Sequence, residues 1–305
     1  MQIDTSEQRK GILFALSAYG MWGLFPIYFK SVAEVSPFEV LSHRIIWSVI
    51  FMALFIAASG RCQELLRNLR QKKLLAKLAA SAILISINWV VFIWSVGQGH
   101  ILDTSMGYFI NPLVSLLLGM LILGERLRRV QWLAVSMAVI GVAYQLVLLG
   151  SLPWVALVLA CSFGTYGLLR KQIVVDPFSG LLIETLLLSP FALLYLFWLA
   201  QHNELAFVSE SVRMSVLLIA AGIVTSLPLI CFAAGAKRLT LTINGLLMYI
   251  TPSLTFILAV VVYDEPLDAN KLVTFALIWT GLILFTAEGI WQSKKMPVKT
   301  LKAQP

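Results

Sequence analysis

The amino-acid sequence predicts an all-α membrane protein with ten transmembrane helices, arranged as two inverted five-helix repeats. Three observations lead to this prediction: an apolar composition, ten apolar segments of membrane-spanning length, and a pattern that recurs at a constant offset. Of the 305 residues, 59% are hydrophobic and 12% are charged. An average soluble domain has about a quarter charged residues, so the composition indicates a protein that lies within a membrane.

Each of the ten apolar segments is close to the length that a membrane-spanning helix requires, which is about 20 apolar residues. The joins between the segments are short, the longest being 59–74 and 200–213, so no separate soluble domain is expected. The predicted spans are residues 11–29, 38–58, 75–96, 104–123, 131–149, 153–169, 178–199, 214–234, 243–262 and 272–291.

A sequence pattern in the fourth span and the turn after it recurs 140 positions later, where Pro252 corresponds to Pro112 and Glu265 to Glu125. The same offset relates further pairs, namely Phe38 and Phe178, Phe51 and Phe191, Ser86 and Ser226, Phe92 and Phe232, and Gly141 and Gly281. A constant spacing over about a hundred residues indicates a duplicated unit. The predicted boundaries are 11–149 for the first repeat and 150–291 for the second, with short cytoplasmic tails at 1–10 and 292–305.

The positions of lysine and arginine predict which ends of the spans face the cytoplasm. Nineteen of the 23 basic residues, Arg170 among them, lie on the side that also holds both termini; three lie on the opposite side and Arg44 lies inside a span. Both termini are therefore predicted to be cytoplasmic. Because five spans per repeat is an odd number, the second copy must be inverted, an arrangement found in transporters with a binding site near the membrane midplane.

Composition and motifs argue against several other kinds of partner. The net charge of +8 comes from basic residues that lie between apolar runs, so no nucleic-acid partner is expected. The three cysteines have no metal-binding spacing, so we expect neither disulfides nor a metal site. No nucleotide-binding motif or cleavable signal peptide is evident. No cofactor is therefore expected, and protons, sodium or the substrate gradient would supply the driving force.

Five motifs resemble one known family: residues 18–23, 42–48, 88–94, 107–113 and 124–126. They are similar to the EamA family of the drug/metabolite transporter superfamily, and more closely to its RarD subfamily, which is named after chloramphenicol sensitivity. The resemblance covers residues 11–291. It implies a ten-helix, multi-pass permease of the bacterial inner (cell) membrane with cytoplasmic termini and a small-molecule substrate. It does not imply which substrate, since the superfamily includes amino-acid, nucleotide-sugar and drug carriers.

Aromatic and amide side chains inside the spans are candidate substrate ligands, because they would offer ring faces and a few hydrogen-bonding groups to an amphiphilic solute. Some of the aromatic residues are alternatively interfacial anchors. The predicted substrate-binding residues are Tyr19, Trp22, Asn88, Trp89, Tyr108, Asn111, Tyr166 and Tyr249. Five of them are expected to line one central cavity: Asn88, Trp89, Tyr108, Asn111 and Tyr249.

Pro112 and Pro252 lie at equivalent positions of the two repeats, and each removes the hydrogen bond to the residue four positions before it. The carbonyls of Tyr108 and Met248 are therefore expected to be free. Free backbone groups at this depth are tolerated where they line a cavity. The alternative is a plain helix kink.

Arg44, Glu184 and His43 are the candidate intramembrane charges. Arg44 lies about six residues into its span, roughly 9 Å deep, where a charge usually faces the bundle interior, either at a site or as a structural link. Glu184 is its repeat counterpart, either a proton-coupling group or a structural hydrogen-bond acceptor. Inversion separates the two by about 12 Å in depth, so no contact is expected. His43 points away from Arg44 on the helix.

Glu125 and Glu265 are expected to begin helices, where a carboxylate suits the helix dipole. Two further function classes stay open beside transport: an intramembrane lipid-modifying enzyme and a receptor or structural membrane protein. The sequence has no H-E-x-x-H or G-x-S-x-G motif to favour an enzyme. The inverted duplication favours transport, and the oligomeric state stays open.

Overall fold

The computed structural model describes residues 5–97, 101–149, 154–263 and 269–295, and every regular element in this part of the chain is an α-helix. The helices are α1 Thr5–Gly23, α2 Phe25–Ser31, α3 Pro37–Ala58, α4 Cys62–Leu69, α5 Lys72–Gly97, α6 Ile101–Leu123, α7 Arg129–Leu149, α8 Trp154–Gln172, α9 Pro177–Gln201, α10 Val212–Arg238, α11 Leu241–Leu247, α12 Ile250–Val261 and α13 Ala269–Lys295. The predicted all-α fold class is confirmed.

Each of the ten predicted spans coincides with one helix or with two consecutive helices. The first span is divided into α1 and α2, and the ninth into α11 and α12. Among the described residues, seven helical segments are long and apolar enough to cross a membrane, and two shorter apolar segments cover Gly107–Leu123 and Leu272–Glu288. These segments agree with the ten-helix membrane protein that the sequence predicts.

The chain forms two compact units, and each takes helices from both halves of the sequence. Unit 1 comprises Met1–Glu125 and Pro153–Glu265, and therefore contains α1–α6 and α8–α12. Unit 2 comprises Arg126–Leu152 and Pro266–Pro305, and contains α7 and α13. The repeat boundaries at 11–149 and 150–291 stay a prediction.

In unit 2 the two corresponding helices of the repeats pack antiparallel. A Cβ atom added to Gly141 of α7 would lie 3.3 Å from the Thr274 carbonyl oxygen, and one added to Gly281 of α13 would lie 2.7 Å from that of Ala134. The 140-residue offset makes Ala134 the counterpart of Thr274 and Gly141 that of Gly281. The two contacts are therefore reciprocal, as a twofold relation requires.

A second reciprocal pair of contacts joins α3 and α9 in unit 1. Phe55 stacks on Phe178 with ring centroids 4.3 Å apart, and Phe38 packs against Tyr195 at 6.1 Å. Phe38 is the counterpart of Phe178, and Phe55 is the counterpart of Tyr195. Because the early residue of one helix meets the late residue of the other, these corresponding helices are also antiparallel.

A third contact between the repeats joins a residue to its own counterpart. The Tyr249 hydroxyl donates a hydrogen bond to the Phe109 carbonyl oxygen at 3.1 Å, and both residues are buried. Their sequence numbers differ by the repeat offset of 140. A residue that contacts its own counterpart lies close to the twofold axis, so the axis within unit 1 passes between α6 and the start of α12.

The two equivalent prolines lie in different local structures. Helix α6 continues through Pro112, whereas the chain turns at Met248 and Tyr249 between α11 and α12. The Met248 carbonyl, which is expected to be free, accepts a hydrogen bond from the Thr251 amide at 3.0 Å. The prediction for Met248 is wrong because the tight turn satisfies this carbonyl with an amide one position before the proline.

Helices α3 and α10 come into backbone contact at Gly222. A Cβ atom added there would lie 2.7 Å from the Trp47 carbonyl oxygen and 2.6 Å from the Trp47 Cβ. The Ser48 hydroxyl donates to the Gly222 carbonyl oxygen at 3.2 Å. Because the atoms that a side chain would meet include backbone, only a residue without Cβ allows this approach.

We predict that Gly222→Ala destabilises the protein by about 1–3 kcal/mol, the usual cost of overpacking a close interface. The matched control is Gly20→Ala in α1, where an added Cβ meets no atom within 4 Å. The control should leave stability unchanged or raise it, because alanine is the better helix former by about 1 kcal/mol. Thermal unfolding of the purified variants in detergent measures both effects, and equal melting temperatures would contradict the close approach.

Candidate functional site

Three of the predicted binding residues, Tyr19, Trp22 and Tyr166, lie in one aromatic cluster of unit 1. Tyr166 stacks on Phe232 with centroids 5.8 Å apart, and Trp22 meets Phe163 edge-on at 5.5 Å and Tyr19 at 5.7 Å. Tyr19 and Tyr166 are buried, whereas Trp22 keeps accessible surface. Of these three candidates, Trp22 is therefore the one whose ring is partly accessible.

The two asparagine candidates differ in how much of their hydrogen-bonding capacity the protein uses. Asn88 Nδ2 donates to the Leu159 carbonyl oxygen at 2.9 Å and to Ser162 Oγ at 3.1 Å, which ties α5 to α8. Asn111 is buried, and its Oδ1 accepts no hydrogen bond from any residue that the structure describes. A buried acceptor of this kind is uncommon, because buried polar groups are nearly always bonded.

Arg44 lies between side chains of α2, α5 and α10, in the part of unit 1 where α3 and α10 approach closely. Its Nε donates to Thr225 Oγ1 at 2.8 Å. Its guanidinium carbon lies 5.1 Å from the centre of the Trp89 ring and 5.5 Å from that of Phe29. Within the described part of the chain Arg44 forms no ion pair.

Tyr108 belongs to the same region as Arg44. Its ring meets Phe92 edge-on at 6.3 Å, and its hydroxyl lies within electrostatic range of the Arg44 guanidinium. Tyr108 is 43% exposed. The structure therefore brings Arg44, Trp89 and Tyr108 together, and it places Tyr19 and Tyr166 in the separate aromatic cluster.

His43 faces a different environment from its neighbour Arg44. Its Nε2 lies 3.7 Å from Glu39 Oε1, and its ring lies 4.9 Å from the Phe207 ring. The Glu39 carboxylate, which is buried, accepts from the amides of Ala206 and Phe207 at 2.8 and 3.1 Å. The role of Glu39 is not predicted from the sequence, because an acidic residue in the first turn of a helix is ordinarily explained by the helix dipole.

Glu184 lies at the centre of a buried polar network between α5, α8 and α9. Its Oε1 accepts from Ser81 Oγ at 2.6 Å and from Arg170 Nη1 at 3.2 Å, and the Tyr166 hydroxyl lies 3.5 Å from its Oε2. These contacts favour the structural interpretation of Glu184. Arg44 and Glu184 bond to different partners.

Arg170, which the sequence analysis assigns to a cytoplasmic join, is 1% exposed and paired with Glu184. Helix α8 continues to Gln172, so Arg170 lies in the last turn of the helix and faces α9, at the end of the span where the sequence places it. The Arg170 guanidinium packs directly against Gly180 of α9, where an added Cβ atom would lie 2.8 Å from Arg170 Nη2.

The sequence predicts that Glu125 begins the helix that follows it, and this prediction is wrong. Its carboxylate instead caps the first residues of α11, a helix more than a hundred positions later. Helix α7 begins at Arg129, whereas the Glu125 carboxylate accepts from the Leu241 amide at 2.6 Å and from the amide and hydroxyl of Thr242 at 2.8 and 2.7 Å. Gly124, with φ of 66°, turns the chain so that this carboxylate points to α11. Glu265 lies outside the described residues.

The model of the EamA-like transporter family matches residues 9–147 and 152–287. The chain belongs to this family. It is 48% identical to an uncharacterized transporter of Vibrio cholerae serotype O1, over 95% of this chain and 96% of the relative. It is 47% identical to protein RarD of Salmonella typhimurium, over 96% of this chain and 100% of the relative, and 32% identical to the chloramphenicol-sensitive protein RarD of Pseudomonas aeruginosa, over 90% and 93%.

A solved crystal structure shares the fold of this EamA-family chain. Its TM-score is 0.68 at 19% sequence identity, and the match covers 91% of this chain and 98% of the other. Together with the names of the relatives, the family identifies a multi-pass membrane transporter of the drug/metabolite type.

We predict that Glu184→Gln destabilises the protein by about 3–5 kcal/mol, because it leaves the buried Arg170 without its counter-ion. Removing both charges, as Arg170→Met with Glu184→Gln, should restore much of that stability. The control is Glu204→Gln in an exposed turn, which should have no effect. Melting temperatures in detergent rank these variants together with the single variant Arg170→Met. A double variant that is less stable than each of the two single variants would contradict the pairing.

Proposed function

We propose that this protein is a secondary transporter that moves a small organic solute across the bacterial inner membrane by alternating access, with both termini cytoplasmic. The EamA-like family and the antiparallel packing of corresponding helices support transport by two inverted halves. The observation that carries the alternating-access proposal is the contact between Glu125 and the first residues of α11.

The Glu125 contact joins the end of a first-repeat helix to the beginning of a second-repeat helix. One carboxylate accepts three hydrogen bonds there, and hydrogen bonds to charged groups contribute about 1.5–3 kcal/mol each. Two further contacts lie at the same predicted cytoplasmic end of unit 1. Lys171 donates to the Ala236 carbonyl at 3.3 Å and to that of Leu239, and Arg238 pairs with Glu7 at 2.9 Å.

The opposite half of unit 1 keeps accessible polar surface. Tyr108 is exposed, and Arg44, Trp89 and Trp22 are partly accessible. These residues lie in the predicted periplasmic half of their spans or near its middle. The arrangement fits an outward-facing state, in which a solute enters from the periplasm and the cytoplasmic end opens once the Glu125 contacts break. A stabilisation of a few kcal/mol is the size that two-state equilibria of this kind require.

The driving force under this proposal is an ion or solute gradient, with protons as one candidate coupling ion. Glu184 was the sequence-based candidate for proton coupling, but its carboxylate is engaged by Ser81 and Arg170. These bonds join α5, α8 and α9, and none of them involves Glu125 or α11, so breaking the Glu125 contacts leaves them in place.

We predict that Glu125→Ala shifts the protein toward a state that is open to the cytoplasm. The reporter is Tyr108→Cys in a background in which Cys62, Cys161 and Cys231 are replaced. With Glu125 present, a membrane-impermeant thiol reagent should label the reporter from the periplasmic side. With Glu125→Ala, labelling from the cytoplasmic side should rise several-fold, and Thr242→Val, which removes one of three bonds, should give a smaller rise.

The control for this experiment is Glu64→Ala in α4, which lies in a predicted cytoplasmic join without contact to α11. It should leave the labelling pattern unchanged. Exchange of radiolabelled amino acids, nucleosides and drugs in proteoliposomes tests transport itself. A reporter that is labelled identically with and without Glu125 would refute the gating role, and absence of exchange for every solute class would refute transport.

A further inference from the structure

We infer that Arg44 binds a carboxylate of the transported solute, so that the substrate class is an organic monocarboxylate with an apolar or aromatic body. This inference rests on the proposed transport function and names the substrate that the same site would select. Three observations support the inference: the contacts that Arg44 makes, the accessibility of the two terminal guanidinium nitrogens, and the aromatic rings next to Arg44.

The first step is that Arg44 is a membrane-embedded cation without a counter-ion among the described residues. A charged side chain within the bilayer is energetically costly, so such groups are normally paired. Arg170 shows the usual solution in this protein, since Glu184 lies 3.2 Å from it. Arg44 instead has a neutral hydroxyl, that of Thr225, and two aromatic rings. An anion supplied by the solute would complete the pair.

The second step is the geometry of the guanidinium group. Thr225 accepts from Nε, whereas Nη1 and Nη2 donate to no acceptor among the residues that the structure describes and are not among the buried atoms that lack a partner. The two terminal nitrogens are thus accessible, and side by side they form the fork that binds a carboxylate through two parallel hydrogen bonds. The bond to Thr225 fixes the orientation of this fork, and the close approach at Gly222 fixes Thr225 relative to α3.

The third step concerns the charge and the body of the solute. Among the described residues near Arg44 no second cation is available, since Lys30 lies over the Tyr263 ring, 3.9 Å from its centre. One cation balances one negative charge, and a dianion such as a phosphate monoester would keep an uncompensated charge at a site of low dielectric constant. The rings of Trp89 and Phe29 lie over the guanidinium, with their centres 5.1 and 5.5 Å from its carbon. They favour an apolar or aromatic body next to the carboxylate.

A purely structural role is the alternative, in which Arg44 only ties α3 to α10 through Thr225. The two roles differ in one measurable property. A structural link affects the binding of every solute alike, whereas a carboxylate ligand affects the preference for an acid over its neutral amide. The test therefore measures a ratio between two probes of the same shape and not the affinity for one.

The experiment uses the purified full-length protein with 3-phenylpropionate, 3-phenylpropionamide and phenyl phosphate as probes, and thermal stabilisation as the readout. The acid should bind the wild-type protein at least 10-fold more tightly than the amide or the phosphate. Arg44→Gln should reduce this preference to within about threefold while amide binding persists, and Arg44→Lys should keep part of it. The control Arg213→Gln removes an exposed cation and should leave the preference unchanged.

Equal binding of acid and amide to the wild-type protein overturns the inference, and so does an Arg44→Gln variant that keeps the acid preference. If Arg44→Gln does not fold, the wild-type ratio and Arg44→Lys decide the question. Exchange in proteoliposomes separates the inference from the proposed function. Exchange of both probes at equal rates refutes carboxylate selection and leaves transport standing, whereas selective acid binding without exchange supports the Arg44 site and counts against transport.

Discussion

The structure depends on one constraint: a charged or polar group carried into the hydrocarbon layer has to find its partner within the protein, because the layer offers none. Glu184 meets this constraint through Arg170 and Ser81, and Glu39 meets it through two backbone amides. These bonds tie α5, α8 and α9 together and hold the loop before α10 against α3. Arg44 has a hydroxyl and two rings in place of a carboxylate, and in this it differs from Arg170.

Duplication explains how the same position came to carry two different groups. Arg44 and Glu184 are counterparts under the 140-residue offset, yet one lies in an accessible aromatic setting and the other in a closed ion pair. The backbones of the repeats stay related, as the reciprocal contacts of Gly141 and Gly281 show. The side chains at equivalent positions have diverged, so one copy provides a candidate site and the other provides a structural link.

Much of the fold follows from the sequence, because hydrophobic length and a constant offset are properties of the chain that no distant contact alters. The ten spans and the duplication needed only these two properties. The contacts of Glu125, Arg170 and Glu39 were not predictable in the same way. Each depends on where a helix ends to within two residues and on which face meets a helix more than ten positions away. Pro252 cannot donate a hydrogen bond to the Met248 carbonyl, as the sequence indicates. The turn between α11 and α12 brings the Thr251 amide to that carbonyl instead, and this depends on the local backbone.

The hydrogen bond between Tyr249 and Phe109 has a consequence for motion. In an inverted pair of repeats, switching between the two faces of the membrane amounts to an exchange of shapes between the copies. A contact between one residue of each copy is then lost, and the contact between the two counterparts of those residues forms in its place. A contact between a residue and its own counterpart has no other pair to exchange with. Under the alternating-access proposal, the hydrogen bond between Tyr249 and Phe109 is therefore a contact that both states of the protein can keep.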